Sequence, residues 1–173
     1  MTRVLTIIAV LAALVVPSAT LADDTPGPSN QSTAQQRCRD QLKSMGAKDF
    51  RALYGANANG KNAFGKCVSK LTHEELQGQQ NAAEQCRAER SADPAAFAKK
   101  YGTNPNGKNA FGKCVSQKAQ TQSRDEQETT LNAAQECKAE RTADPAAFRD
   151  KYGTNHNKRN AFGKCVAAKV KEK

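Results

Sequence analysis

Apolar positions in this chain follow a short phrase that is written three times. Each copy opens on a cysteine, passes through a phenylalanine and a tyrosine four residues apart, and closes on Asn-Ala-Phe-Gly-Lys-Cys-Val. The copies occupy residues 38–68, 86–115 and 137–166. Polar residues with good helix propensity fill most of the intervening positions. Copies two and three align without a gap over 81–118 and 132–169 and agree at 27 of 38 positions. Copy one carries one extra residue before Phe50, and Met45-Gly46 stands where the others have Ala-Asp-Pro. End units of repeat arrays are commonly atypical, because one of their faces lacks a neighbour.

The pattern predicts three short helices per copy. In the second copy the first helix covers 81–90, with Ala83, Cys86 and Arg90 on one side. The next begins at Asp93-Pro94, where the carboxylate can accept orphan backbone N–H groups and proline lacks an N–H that would need a partner. Phe97 and Tyr101 share its inner face, and Gly102 is expected to end it in a left-handed cap. Asp144-Pro145, Phe148, Tyr152 and Gly153 repeat the signal. Copy one lacks the Asp-Pro start, Asp49 is not an equivalent cap, and its middle helix is expected to be less sharply bounded. A turn rich in Asn follows, and Asn109 or Asn160 can cap the third helix. There Phe111, Cys114 and Val115 form an inward face. Gly65, Gly112 and Gly163 sit beside that face, and close packing is the expected compensation for glycine in a helix. Between copies, Gly65, Gly78 and the capping-box spacing of Thr72 and Glu75 predict broken or bent joins rather than continuous helices.

Architecture therefore reads as all-α, a tandem array of small disulfide-closed helical units at 34–70, 81–118 and 132–169. Residues 1–22 look like a secretory signal: Arg3, an apolar run over 4–16, and small residues before a cleavage point after Ala22. An uncleaved anchor is the alternative, although the run is short of the about 20 residues a span needs. Residues 23–33 read as a disordered lead-in, and no transmembrane segment is expected in the mature chain. Only 38% of the chain is apolar and it has no Trp, so several small cores are expected instead of one large one.

Six cysteines in an exported chain point to disulfides. The repeat ranks the pairings: Cys38 with Cys67, Cys86 with Cys114 and Cys137 with Cys165, the rival being links between neighbouring copies. Closing each loop is worth about 3.5 kcal/mol in the chain-entropy model.

The formal net charge is +10, and the positive excess belongs to the repeats rather than to the segments between them. Lys61 and Lys66, Lys108 and Lys113, and Lys158, Arg159 and Lys164 recur at matching places. They are the candidate polyanion-binding residues. Three spaced basic patches suit an anionic cell-wall polymer or acidic polysaccharide bound by avidity. A phospholipid surface and released nucleic acid carry the same charge. The Asn-Gly-Lys turns match no base-reading module, so sequence-specific nucleic acid is set aside. A structural spacer and a cationic membrane-active protein are the competing readings. Enzymatic activity, a metal and a cofactor are not expected. His73 and His156 have no recurring nucleophile or acid beside them, and no phosphate-loop or metalloprotease motif occurs.

The Asp-Pro-Ala-Ala-Phe, Tyr-Gly-Thr-Asn and Asn-Ala-Phe-Gly-Lys-Cys-Val strings together resemble repeats in uncharacterised secreted proteins of actinobacteria. The resemblance covers nearly all of copies two and three and part of copy one. It implies export, to the medium or the cell envelope, and repetition, but no mechanism.

Overall fold

The computed structural model describes residues 28–56 and 59–172, with side chains from residue 32 onward. The signal segment 1–22 and residues 23–27 of the lead-in lie outside the described residues. Seven helices follow in chain order: α1 Pro28–Met45, α2 Ala47–Tyr54, α3 Ala63–Ala92, α4 Pro94–Tyr101, α5 Ala110–Ala143, α6 Pro145–Tyr152 and α7 Ala161–Lys171. The start of α1 at Pro28 corrects the expected lead-in, since residues 28–33 are helical. Proline suits a first helical turn because its missing N–H has no intrahelical partner there.

All three disulfides close within a repeat: Cys38–Cys67 joins α1 to α3, Cys86–Cys114 joins α3 to α5, and Cys137–Cys165 joins α5 to α7. The helix starts at Asp93-Pro94 and Asp144-Pro145 form as the sequence predicts. Asp93 accepts from the Ala96 N–H, and Asp144 from Ala146 and Ala147. Helix α2 starts at Gly46 without a side-chain cap, yet it is as long as α4 and α6. Its expected blurred boundary is thus corrected: the Gly46 carbonyl accepts the Phe50 N–H and holds the first turn.

The expected breaks between repeats are absent. Helices α3 and α5 run unbroken for 30 and 34 residues. Thr72 does not start a helix; its hydroxyl donates to the Val68 carbonyl inside the existing one. Glu75 is engaged instead by Arg37 of α1 at 3.3 Å. The same guanidinium donates to Gln127 and to the Ser123 carbonyl of α5, so one buried polar junction ties three helices. Burial pushes the Glu75 carboxyl above its ordinary range, with Arg37 opposing that shift. Gly78 lies against Gln122, where the antiparallel α3 and α5 approach. Tertiary contacts thus override local helix-breaking signals.

This hairpin of long helices brings the first and third repeats together at one end and leaves the second at the other. The first and third share a core around their two disulfides, with Phe50, Tyr54 and Leu71 against Phe148, Phe162 and Val166. The second has a separate small core of Cys86, Phe97, Tyr101, Ala110 and Cys114, edged by half-buried Phe111 and Val115. On the first helix of each repeat, Ala34, Ala82 and Ala133 are buried four residues before the cysteine; the expected position of Ala83 is buried only in the third repeat, as Ala134, while Ala83 itself is half-buried.

One recurrent bond had no counterpart in the sequence reading. The tyrosine of each middle helix donates to the residue three after the first cysteine: Tyr54 to Gln41, Tyr101 to Glu89, and Tyr152 to Glu140. Burial raises the Tyr54 phenol far above its ordinary range. In the second and third repeats, Lys100 and Lys151 also bind these carboxylates and hold them below the usual carboxylate range.

Candidate functional site

The turns after α2 and α6 face one another because their repeats share a core. Each turn is built by asparagine. The Asn109 and Asn160 side chains do not cap the helices that follow, contrary to expectation; like Asn62, they reach back across the turn, the three accepting from the N–H groups of Thr103, Thr154 and Ala56 respectively. Asn59, Asn106 and Asn157 accept from the N–H two residues on, the local bonding that favours Asn in turns. Gly102 and Gly153 are not left-handed caps either: their backbones are extended. Glycine is needed at Gly102 because a Cβ would lie 2.4 Å from the Ala98 carbonyl oxygen. The left-handed residue lies later in the turn, at Gly60, Gly107 and, in the third repeat, Lys158.

Between the first and third turns runs a groove of about 740 Å³. Arg51 of α2, Arg159 of the third turn and Lys164 of α7 supply its positive charge, and Asn59, Asn155, Asn157 and Asn160 its amides. Among the described residues no carboxylate lines it. The carbonyl oxygens of Asn59 and Asn157 are used within their turns, while their Nδ2 groups have no partner among the described residues. Gly163 lets the two repeats approach, for a Cβ there would lie 3.3 Å from the Ala52 carbonyl oxygen. A larger groove of about 940 Å³ along α3 and α5 mixes Lys100 and Lys118 with Glu74, Asp125 and Glu126, so its charges oppose one another.

The recurring basic residues are distributed unequally. Arg159 and Lys164 line the cationic groove. Lys61 borders a neighbouring hollow with Leu42, Phe50 and Phe64, and Lys66 is exposed on α3. Lys158 is half-buried and its ammonium meets Asp150, whose carboxyl it holds below the ordinary range. Lys108 and Lys113 are exposed on the distant second repeat. Two basic patches therefore converge and the third stands apart, in place of three even steps. Arg51 was missed by the repeat pattern because its counterparts are Ala98 and Arg149. Its signal lay only in adjoining an Asn-rich turn.

Among the described residues, no group of three or more His, Cys, Asp or Glu is placed to hold a metal ion. No helix among them is long and apolar enough to cross a membrane. Comparison with protein-family models, with curated proteins and with solved structures found no match.

Proposed function

We propose that this is a secreted or envelope-associated, non-enzymatic protein that binds an acidic polysaccharide or anionic cell-wall polymer. The observation that carries this reading is the groove of Arg51, Arg159 and Lys164, set among four asparagines with no carboxylate among its described lining residues. Cations supply attraction to an anionic chain. The Nδ2 donors of Asn59 and Asn157 are suited to hydroxyl and carboxylate oxygens of a sugar polymer. Exposed Lys61 and Lys66 extend the positive surface from this end, and Lys108 with Lys113 offers a second contact along the same polymer. A membrane-active role has less support, because Val170 is the exposed large apolar side chain among the described residues.

The test is retention of the intact protein on a matrix bearing a carboxylated polysaccharide. Retention should weaken as salt rises. Joint substitution of Arg51, Arg159 and Lys164 by alanine should lower the eluting salt concentration more than joint substitution of Lys99, Lys108 and Lys113, which removes the same charge from the second repeat. Equal losses would reduce the reading to diffuse charge, and no retention of the unaltered protein would leave the structural-spacer reading in its place.

A further inference from the structure

The third repeat carries a face that the first repeat covers, and the second repeat carries a copy of that face on which no described residue packs. In the third repeat, the Arg141 guanidinium stacks over the Phe162 ring at 4.9 Å and donates to Asp49 of α2 at 2.7 Å. Beside them the Ala52 and Leu53 backbone presses on Gly163. Asp49, Ala52 and Leu53 lie at i, i+3 and i+4, so one side of α2 supplies an acid and two small or aliphatic residues. The second repeat retains every receiving group. Arg90 stacks over Phe111 at the same 4.9 Å, Arg87 lies 6.0 Å from that ring, and Gly112 follows. There Phe111 is only half-buried, Arg90 has no ion-pair partner among the described residues, and nothing lies within 4 Å of a Cβ built at Gly112.

We propose that Arg90, Phe111 and Gly112 form a docking surface for a different protein, which presents a helix with an aspartate followed at i+3 and i+4 by small or aliphatic residues. The chain's own α2 cannot reach it. Cys67 and Cys86 lie 19 positions apart on one continuous helix, which is about 28 Å along the axis. A second copy's α2 is already seated, with the Asp49 side chain only 5% exposed. Two second repeats placed face to face would oppose Arg87 and Arg90 with their own copies. Arg87, Arg90, Lys108 and Lys113 around this face suit an acidic partner. The first repeat has Leu42 at the position of Arg90 and lacks the anchoring cation. The polymer-binding reading is not needed for this inference.

A stapled helical peptide bearing Asp, Ala and Leu at the spacing of Asp49, Ala52 and Leu53 is a suitable probe. It would be titrated into the full-length, disulfide-intact protein while backbone amide shifts are followed. Shifts at Arg90, Phe111 and Gly112 are expected. Arg90→Ala should weaken binding by about tenfold, the effect of losing one charge-assisted hydrogen bond. Gly112→Leu should abolish binding while leaving the helical signal intact, because its side chain enters open space. Exchanging Asp for Lys in the probe should abolish binding, and Arg90→Glu should restore it. Absence of shifts, binding that survives both Arg90→Ala and Gly112→Leu, or shifts confined to Arg141 and Phe162 would each overturn the proposal. So would a dimer of the unaltered chain that Arg90→Glu dissociates, which would assign the face to a second copy.

Discussion

The second and third repeats agree at 27 of 38 positions, and their disulfides, tyrosine bonds and Asp-Pro helix starts are the same. Their cores are not. Phe162 and Val166 are buried, whereas Phe111 and Val115 are half-exposed. The difference originates outside both repeats, on α2 of the first. Asp49, Ala52 and Leu53 stand there where the second repeat has Ala96, Lys99 and Lys100, and the third Ala147, Asp150 and Lys151. Three residues change a solvated helix face into one that packs on a neighbour. The repeat thus encodes a local scaffold, and the divergent copy decides which scaffold is completed.

Replacing the ring at the shared interface should separate the two repeats most strongly. Phe162→Ala removes a buried ring and should cost about 3–5 kcal/mol. Phe111→Ala loses partial burial and an arginine stack and should cost about 1–2 kcal/mol. Denaturant titration followed by amide hydrogen exchange at each end of the α3–α5 pair measures both. Equal costs would mean that the first repeat adds nothing to the third.

Disulfide removal comes next. Either bond, Cys86–Cys114 or Cys137–Cys165, spans 28 residues, so the loop-closure contribution is about 3.5 kcal/mol for both. The consequences should differ. With Cys86 and Cys114 both changed to alanine, α4 is left with a core of two buried aromatics, and its amides should exchange as in an unfolded segment. With Cys137 and Cys165 changed, α6 and α7 retain the first repeat's support and should keep measurable protection. Protected amides in α4 of the first variant would break the comparison.

The unit was far more legible in the sequence than its surroundings. Asp93-Pro94, the Phe97–Tyr101 spacing and the cysteine intervals carry their meaning locally, and the structure realises each of them. Signals read as helix breaks failed because their outcome depended on distant partners: Glu75 meets Arg37, and Gly78 meets Gln122. The pairing of first and third repeats is marked in the sequence only by Asp49, Ala52 and Leu53, three departures from the repeat that read as ordinary divergence. The groove inherits that difficulty, since Arg51 and Arg159 are 108 residues apart and only the hairpin of long helices unites them.

The arginine pair gives an intermediate effect. Arg141→Ala leaves the buried Asp49 carboxylate without its partner, and should cost about 2–3 kcal/mol. Arg90→Ala removes an exposed stack and should cost less than about 1 kcal/mol. Thermal melts of the two variants check the ordering. Acidification supplies a matched control, since Glu89 and Glu140 are both held below the ordinary carboxylate range by lysine and tyrosine. Their contribution is present above that range and is lost as pH falls through the depressed values. Exchange measured down the acid limb should lose protection to a similar degree in α4 and α6.

The smallest effect asks why glycine recurs in this position. Close packing is the expectation at all three copies, yet among the described residues only Gly163 has a neighbour within 4 Å; nothing lies that near a Cβ at Gly65 or Gly112. Gly112→Ala should therefore stabilise, by at most about 1 kcal/mol because the residue lies in the first turn of α5. At Gly163 the added methyl meets the Ala52 carbonyl oxygen at 3.3 Å, so α2 must give way by a few tenths of an ångström and the gain should shrink or reverse. The two melting temperatures should move apart. Equal rises would show that α2 yields without cost, and would remove the reason for a small residue at either docking face. A rise at Gly112 alone would mean that the isolated chain is more stable without this glycine, as a face kept clear for a partner requires.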